Sequence, residues 1–374
     1  MNEPGAKIRS QRLRRLLHRL IDIYSPSGKE EEVCDYLFTY LKRHGLSVLR
    51  QPVAGDRYNL LILPPNKDPL LVLIGHVDTV MAYELEGFGY GEQEDLVTGL
   101  GAADMKGGCA AMIEAYLSFV ETAGEWPPVA LALVVGEEEE GDGAQRLVKE
   151  YHFPWALIGE PTDLQPCLSH YGYMEIHFTT RGRRRHASLA HLGQNAIATM
   201  LRLVLKLSQY LENQRPEVVY NIRELSSTRA GFAVPDRCDT WLDLHLPPTS
   251  PIAEITLEID EILLCEHQED PALNCSLRFL TVHSGYELPH KGQVVEALKT
   301  TYANHSLNWN PQAFRSHSDA NLLWAAGVKP ILMGPGQLEK AHAPDEAVSF
   351  EQVVKAAQLY LDLLLSLSSR SRPF

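Results

Sequence analysis

Apolar and polar residues form two different patterns along this chain. In the first part, short continuous apolar runs alternate with stretches of helical periodicity. The three clearest runs cover residues 70–75, 129–135 and 155–159. Runs of about 4–8 apolar residues bounded by turn signals are typical of buried parallel strands. The alternation of such strands with helices predicts an α/β architecture with a mostly parallel central sheet.

The helical stretches follow a period of 3.6 residues. Ser27 stands before an acidic first turn and is a candidate cap for the second helix. A glycine-rich loop at 99–108 leads into an apolar helix. We expect helices in the α/β part at 8–24, 30–44, 109–120, 143–151, 294–304, 319–326 and 350–365.

The pattern changes between residues 167 and 284. Here the predicted strands alternate apolar and polar residues, as expected of antiparallel strands with one buried face. The predicted elements are strands at 174–180, 238–246 and 274–282 and helices at 195–213 and 252–267. We interpret 167–284 as an inserted α+β module of two helices on an antiparallel sheet. Residues 1–166 and 285–374 then form one discontinuous catalytic domain.

Charge and cysteine content narrow the classes of function. The formal net charge of −14 disfavours nucleic acid and anionic membrane surfaces as partners. The six cysteines form no CxxC pair, which is ordinary for a reduced cytoplasmic protein. The basic N-terminal stretch predicts a helix packed on the domain, with a mitochondrial-type presequence as the alternative. We expect a cytoplasmic protein.

Residues that bind divalent metals follow each of the three apolar runs. Ligand sites in open α/β sheets lie at the carboxyl ends of the strands, so we expect these residues to meet. Two further candidates lie in the glycine-rich loop and near the C-terminus. The candidate residues are His76, Asp78, Asp104, the glutamates at 137–140, Glu160 and His342.

This set predicts a metal site with two divalent ions. Two imidazoles and three carboxylates can hold two ions if one carboxylate bridges them. Nitrogen and oxygen ligands suit zinc, and cobalt and manganese are compatible. The Asp78 carboxylate could hold the second ring nitrogen of His76. Each residue also has a structural interpretation: a histidine after a strand is commonly structural, and four glutamates commonly form a solvated turn.

The motifs HVDT, GxGxxDxKGG, EExG, GEPT and HAPDE occur in this order. Together they resemble the co-catalytic zinc aminoacylase and carboxypeptidase family, which includes acetylornithine deacetylase, succinyl-diaminopimelate desuccinylase and carboxypeptidase G. The resemblance implies a zinc-peptidase-like catalytic domain with one zinc on His76, Asp104 and Glu160. It implies a second zinc on Asp104, Glu139 and His342.

The resemblance also implies that Glu138 is the general base acting on a metal-bridging water. Gly141 sets the frame of this assignment within 137–140, and a slip of one residue would shift the roles of Glu138 and Glu139. Relatives have a cis peptide after the bridging aspartate, which predicts a cis bond between Asp104 and Met105.

The inserted module resembles the family's dimerisation domain through the segment GRRRHASLAHLGQNAI. This implies a homodimer through 167–284, in which His186 stabilises the oxyanion in the partner's site. Without the resemblance, His186 would be interpreted as an exposed interface histidine.

Three departures from the family pattern concern substrate binding. Phe232 stands where many relatives have Asn, and His245 stands where they have Arg. Arg315 and His317 lie in or beside the segment that corresponds to a GTSDA-like motif, and either could supply a substitute contact. The four residues are candidate substrate-binding residues, and a weaker hold on a free carboxylate is expected.

The sequence therefore predicts a di-metal hydrolase that cleaves an amide bond of an N-acyl amino acid or a short peptide. An aminopeptidase or dipeptidase with a similar di-zinc centre is the alternative. A non-catalytic binding protein that keeps the fold is a third hypothesis, disfavoured because all five ligand candidates are retained.

Overall fold

A computed structural model describes residues 7–65, 68–84, 87–229 and 231–370. The α-helices in these residues are α1 Ser10–Asp22, α2 Glu31–Arg43, α3 Gly107–Ala123, α4 Asp142–Glu150, α5 Ala196–Gln214, α6 Ile252–Glu269, α7 Gln293–Asn304, α8 Asp319–Ala325 and α9 Phe350–Arg370. The strands are β1 Leu49–Pro52, β2 Tyr58–Ile62, β3 Leu71–His76, β4 Gly91–Gln93, β5 Leu96–Thr98, β6 Val129–Val134, β7 Trp155–Ile158, β8 Cys167–His170, β9 Gly172–Arg181, β10 Val219–Ser227, β11 Arg237–Leu246, β12 Asn274–His283, β13 Tyr286–Glu287, β14 Gln312–Phe314, β15 Lys329–Leu332 and β16 Ala347–Ser349.

The chain divides into two compact units. The first unit contains the described residues up to Ser169, then Leu288–Phe314 and the described residues from Ser318 onward. The second unit contains His170–Glu287 and the short segment Arg315–His317. The sequence pattern predicted this second unit as an insert at 167–284. It did not indicate that residues 315–317 would belong to the same unit.

The first unit is built on a mixed sheet with the strand order β1-β2-β6-β3-β7-β15-β8. Its centre is parallel, because β3 pairs in parallel with both β6 and β7, and β15 pairs in parallel with β7. Strands β2 and β8 join antiparallel to their neighbours. The α/β fold with a mostly parallel centre is confirmed.

Helix α3 is buried along most of its length because it contacts β3 and β6 as well as α1 and α9. Its first turn lies against the end of β7. A Cβ on Gly108 would stand 2.1 Å from the carbonyl oxygen of Gly159, so only glycine permits this approach. The close contact fixes the glycine-rich loop before α3 at the carboxyl ends of the central strands.

The second unit is a four-stranded antiparallel sheet with the order β10-β11-β9-β12. Helices α5 and α6 contact each other, and α5 lies on β9 and β11. The buried core between sheet and helices includes Met174, Ile176, Phe178, Met200, Leu207, Leu242, Leu244, Ile255 and Ile259. The predicted two helices on an antiparallel sheet are therefore present.

Some elements carry no sequence signal strong enough to predict them. Strand β10 consists mostly of exposed residues, so its pattern lacks a buried face. Strands β4, β5 and β16 are three residues long and form a separate small sheet. Within the described ranges, every helix is too short or too polar to cross a lipid bilayer.

Candidate metal centre

Three adjacent strands deliver polar side chains to one edge of the central sheet. β3 lies between β6 and β7, and its last residue, His76, is paired with Val134 at the end of β6. Glu137 follows β6 after a short turn, and Glu160 follows β7 after Gly159. Parallel strands end at the same edge, so the three side chains meet there.

Asp104 lies at the centre of this arrangement and faces two imidazoles. Its Oδ1 lies 3.1 Å from Nε2 of His76, and its Oδ2 lies 3.5 Å from Nε2 of His342. Each carboxylate oxygen thus points to a different histidine. The bond between Asp104 and Met105 is cis, as predicted.

The ligand atoms form compact groups that could each hold a cation. The first group is His76, Asp104 and Glu160, and the second group is Asp104, Glu138 and His342. A further set combines His76 with Glu137 and Glu138. Asp104 belongs to both the first and the second group, which is the arrangement that a bridging carboxylate requires.

The chemistry of these residues fits bound cations. Oε1 of Glu160 is buried without a hydrogen-bond partner and lies 3.9 Å from Nε2 of His76. Four carboxylates surround two imidazoles, so the site carries an excess of negative charge that a divalent ion would neutralise. The donors are nitrogen and oxygen atoms, which suit zinc and related metals.

The pKa values of these groups reflect both their burial and the surrounding carboxylates. Burial raises the pKa of Glu137 and Glu160 well above the usual range. The hydrogen bond to Glu138 raises the pKa of His342 to about 9. Burial opposes protonation of His76, but Asp104 and the nearby glutamates raise its pKa overall.

The turn after β6 decides which glutamates enter the centre. Nε2 of His342 lies 2.9 Å from Oε2 of Glu138, whereas Glu139 and Glu140 are exposed. Glu138, and not Glu139, therefore faces His342, one residue earlier than the frame expected from Gly141. Two residues, not one, separate Glu138 from Gly141.

Backbone geometry explains this frame. Gly136 and Gly141 have φ of +77° and +62°, and the amide of Gly141 donates to the carbonyl of Gly136 at 2.7 Å. The turn closed in this way contains all four glutamates. Only its first half is held inward, because the Asp78 carboxylate accepts hydrogen bonds from the amides of Glu137 and Glu138 at 3.2 and 3.1 Å.

Asp78 contacts His76 differently from the prediction. Nδ1 of His76 is 3.1 Å from the backbone carbonyl of Asp78 and 3.6 Å from its carboxylate. The carboxylate instead binds the two amides of the turn and the hydroxyl of Ser27, whose Oγ donates at 2.6 Å. Ser27 makes no cap for α2, which begins after Glu30 without a side-chain cap.

Comparisons with known proteins agree with this geometry. The family model described as peptidase family M20/M25/M40 matches residues 72–366. The chain belongs to this family. A probable carboxypeptidase of Emericella nidulans is 26% identical over 95% of this chain and 89% of its own length. Acetylornithine deacetylase of Edwardsiella ictaluri is 29% identical over 89% of this chain and 90% of its own length.

Solved structures show the same fold. A tripeptidase of Staphylococcus aureus superposes with a TM-score of 0.81 at 21% identity, covering 96% of this chain and 99% of that one. A dinuclear metal-binding M20 peptidase of Bacillus subtilis gives a TM-score of 0.70 at 12% identity, covering 96% and 98%. This M20 protein is accordingly a metal-dependent amide hydrolase.

One buried carboxylate of this M20 hydrolase was not recognised in the sequence. Glu346, the last residue of HAPDE, accepts hydrogen bonds from the amides of Gly101, Ala103 and Asp104. Burial raises the pKa of Glu346 to about 7. The motif itself was visible, but nothing in its spacing indicated that its glutamate would reach the glycine-rich loop.

The residues predicted to act from the inserted module lie in the second unit. His186 is exposed, and its Nδ1 lies 2.8 Å from Oγ of Ser188. Phe232 is 87% exposed, and its carbonyl accepts a hydrogen bond from the amide of Ala187. Arg315 is also exposed. The metal groups in the described residues contain only side chains of the first unit.

His245 and His317 belong to a group that we call the imidazole cluster: His170, His245, His283, His317 and Tyr173. Tyr173 is the cross-strand neighbour of both His245 and His283. Its ring centroid lies 5.5 Å from that of His245 and 4.8 Å from that of His317. Nδ1 of His283 lies 2.7 Å from Nε2 of His317.

Burial lowers the pKa of every histidine in the imidazole cluster. The pKa of His170 falls to about 4 and that of His317 to about 3, and those of His245 and His283 also fall. The neighbouring imidazoles add to the effect at His317, since like charges disfavour one another. His245 and His317 are therefore neutral near pH 7.

Proposed function

We propose that this protein hydrolyses the amide bond of an N-acyl amino acid or a short peptide with the help of two divalent ions. The observation that carries the proposal is the position of Asp104, whose two oxygens face His76 and His342 separately. Family membership supports amide chemistry, and the deacetylase relative supports an acyl amino acid as substrate.

The proposed ions are zinc, with cobalt and manganese compatible. His76, Asp104 and Glu160 would hold one ion, and Asp104, Glu138 and His342 the other. Bound there, the ions would polarise the substrate carbonyl and lower the pKa of water.

Glu137 is the proposed general base. Its side chain is 10% exposed, and its Oε2 lies 3.8 Å from Nε2 of His76. Burial raises its pKa, which favours the acceptance of a proton from water. The same carboxylic acid would then return the proton to the leaving amine. The Asp78 carboxylate orients Glu137 by accepting its backbone amide.

A matched peptide series would test the reaction. N-acetylalanine, free Ala-Ala-Ala, its N-acetyl form and its C-terminal amide are each incubated with the metal-loaded protein, and products are identified by mass spectrometry. Cleavage of the acetyl group supports a deacetylase. Loss of the N-terminal residue only from peptides with a free amine supports the aminopeptidase alternative. No turnover of these substrates or of an N-acyl amino acid panel would favour the non-catalytic binding protein.

The module at 167–284 is the proposed dimer interface, with His186 stabilising the oxyanion in the partner's site. The exposed position of His186 is compatible with such a role. Mixing two inactive variants, Glu137→Gln and His186→Ala, tests it. Because each dimer of mixed subunits would contain one intact site, activity should reappear after subunit exchange. Two active single variants, or a mixture that stays inactive although mixed dimers form, would contradict the proposal.

The remaining finer proposals concern location and partners. A cytoplasmic protein acting on small molecules agrees with the net charge of −14 and with free cysteines in the described residues. The same charge disfavours nucleic acid and anionic membranes.

A further inference from the structure

Glu346 is buried beside the metal centre without belonging to either metal group. The residue is 4% exposed, and its carboxylate accepts three backbone amides. Oε2 accepts from Gly101 at 2.8 Å, while Oε1 accepts from Ala103 at 2.9 Å and from Asp104 at 3.0 Å. A carboxylate that accepts several amides is a strong, directional anchor for a loop.

The backbone of Glu346 holds the same loop. Its carbonyl accepts the amide of Gly99 at 3.2 Å, so four amides of the glycine-rich loop converge on this single residue. The chain then enters β16, which pairs with β5 just before the loop. The loop that carries Asp104 is thus fixed along its length by Glu346 and the strand that follows it.

Glu346 also anchors the segment that carries His342. Its amide donates to the carbonyl of Ala343 at 3.0 Å, which closes a tight turn next to His342. His342 itself has φ of +57°, a conformation that residues other than glycine rarely adopt. Such a conformation persists only where surrounding contacts hold it.

We propose that Glu346 is a positioning residue that fixes Asp104 and His342 relative to each other and so prepares the second group for its metal ion. The inference rests on the proposed function, because it takes Asp104, Glu138 and His342 as ligands. It assigns Glu346 no contact with substrate or metal. Its effect passes through the direction of the Asp104 carboxylate and the place of His342.

Glu346→Gln tests this idea with little change in shape. A glutamine has one acceptor oxygen, and its NH2 group would face at least one of the three amides. Replacing groups that orient metal ligands typically weakens metal binding about 10–100-fold. We expect cobalt titration of the metal-free variant to show one site weakened by this factor and the other affected less. Glu339→Gln is the matched control, because Glu339 is exposed in the same segment.

Melting temperatures separate positioning from a general structural role. A structural defect lowers the melting temperature of the metal-free and metal-loaded forms alike. A positioning defect mainly reduces the difference between them, since that difference depends on metal affinity. We also expect kcat to fall while KM stays near the wild-type value. The titration is informative even if no substrate of the panel is cleaved, so failure of the proposed function remains distinguishable.

Two results would overturn the inference. One is an unchanged affinity for both cobalt ions in Glu346→Gln. The other is an equal loss of melting temperature with and without metal. If Glu346→Gln fails to fold, Glu346→Asp replaces it, because it keeps the charge and shortens the side chain by one methylene. That variant must then show the same selective loss of one cobalt site, and its absence would overturn the inference.

Discussion

Histidines in the two units experience opposite environments. In the metal centre, His76 and His342 lie among carboxylates, and their pKa values are raised. In the imidazole cluster, histidines lie against one another and against Tyr173, and their pKa values are lowered. The same side chain therefore lies among negative charges in one unit and is kept neutral in the other.

This contrast concerns the candidate substrate-binding residues His245 and His317. A neutral imidazole can donate or accept a hydrogen bond, but it cannot supply the permanent charge that an arginine supplies. In the imidazole cluster, His245 and His317 can therefore offer neutral hydrogen bonds but no permanent charge. The following predictions test the metal centre first and the imidazole cluster afterwards.

The largest effect on activity is expected from the proposed general base, Glu137. Glu137→Gln should reduce kcat about 10²–10⁴-fold, because proton transfer by a positioned group contributes about that much. The variant should retain metal, since its own carboxylate belongs to neither the first nor the second group. Kinetics on the best substrate of the panel and metal analysis of the purified protein would measure both.

Neighbouring glutamates provide the controls for that experiment. Glu138→Gln should lose metal as well as activity, whereas Glu139→Gln, at an exposed position, should behave like the wild type. If Glu139→Gln were the variant that lost metal and Glu138→Gln the one that kept it, the frame of the turn would be the one expected from Gly141.

A smaller effect concerns stability of the second unit in acid. His170 and His317 have folded-state pKa values of about 4 and about 3, below the value of about 6.5 for an unfolded chain. As the pH falls below 6.5, these histidines bind protons in the unfolded chain but not in the folded unit. Stability should therefore fall, by up to about 1.4 kcal/mol per pH unit for each such imidazole.

Hydrogen exchange of β9 and β11, measured by mass spectrometry between pH 7 and pH 5 and corrected for the intrinsic rate, would detect this loss. His317→Gln should reduce the dependence on pH, and His290→Gln, at an exposed histidine, should not. Equal protection of both strands at pH 7 and pH 5 would mean that the imidazole cluster admits protons without unfolding.

The smallest effect is expected for substrate affinity. His245→Arg would introduce a permanent cation at this position. If the position contacts the substrate, KM for carboxylate substrates should fall roughly fivefold, which corresponds to about 1 kcal/mol. Burial lowers the pKa of His245, so this residue is neutral throughout the range from pH 7 to pH 8.5. His245 should therefore cause no change of the wild-type KM across this range. An unchanged KM in His245→Arg, with His245→Gln as the neutral control, would place this position outside the substrate site.

Sequence reasoning located residues that follow strands better than residues that lie in turns. His76 and Glu160 come directly after continuous apolar runs, so the ends of β3 and β7 could be predicted together with their side chains. Asp104 and His342 were found because their motifs resemble those of a family. Within 137–140 four identical residues give no periodicity, and the frame depends on the two positive φ values that close the turn.

Contacts made through the backbone could not be predicted from the sequence. The Asp78 carboxylate holds amides of a turn that begins almost sixty residues later, and Glu346 holds amides in a loop far earlier in the chain. Such bonds depend on the fold and not on the identity of the residue that donates. The imidazole cluster was missed for a related reason, because His170 and His283 belong to separate strands and His317 to a returning segment.

The order of the proposed ligands along the chain has a consequence for biosynthesis. The strands β3, β6 and β7 and the glycine-rich loop all precede Glu160, so a ribosome completes the first group before it reaches the inserted module. His342 is translated much later, after an interval on the order of ten seconds or more at about 5–20 residues per second. The nascent protein therefore carries all the proposed ligands of one ion while the proposed set for the other still lacks its histidine. Loading of the two ions can then follow the direction of translation, with the C-terminal segment closing the centre last.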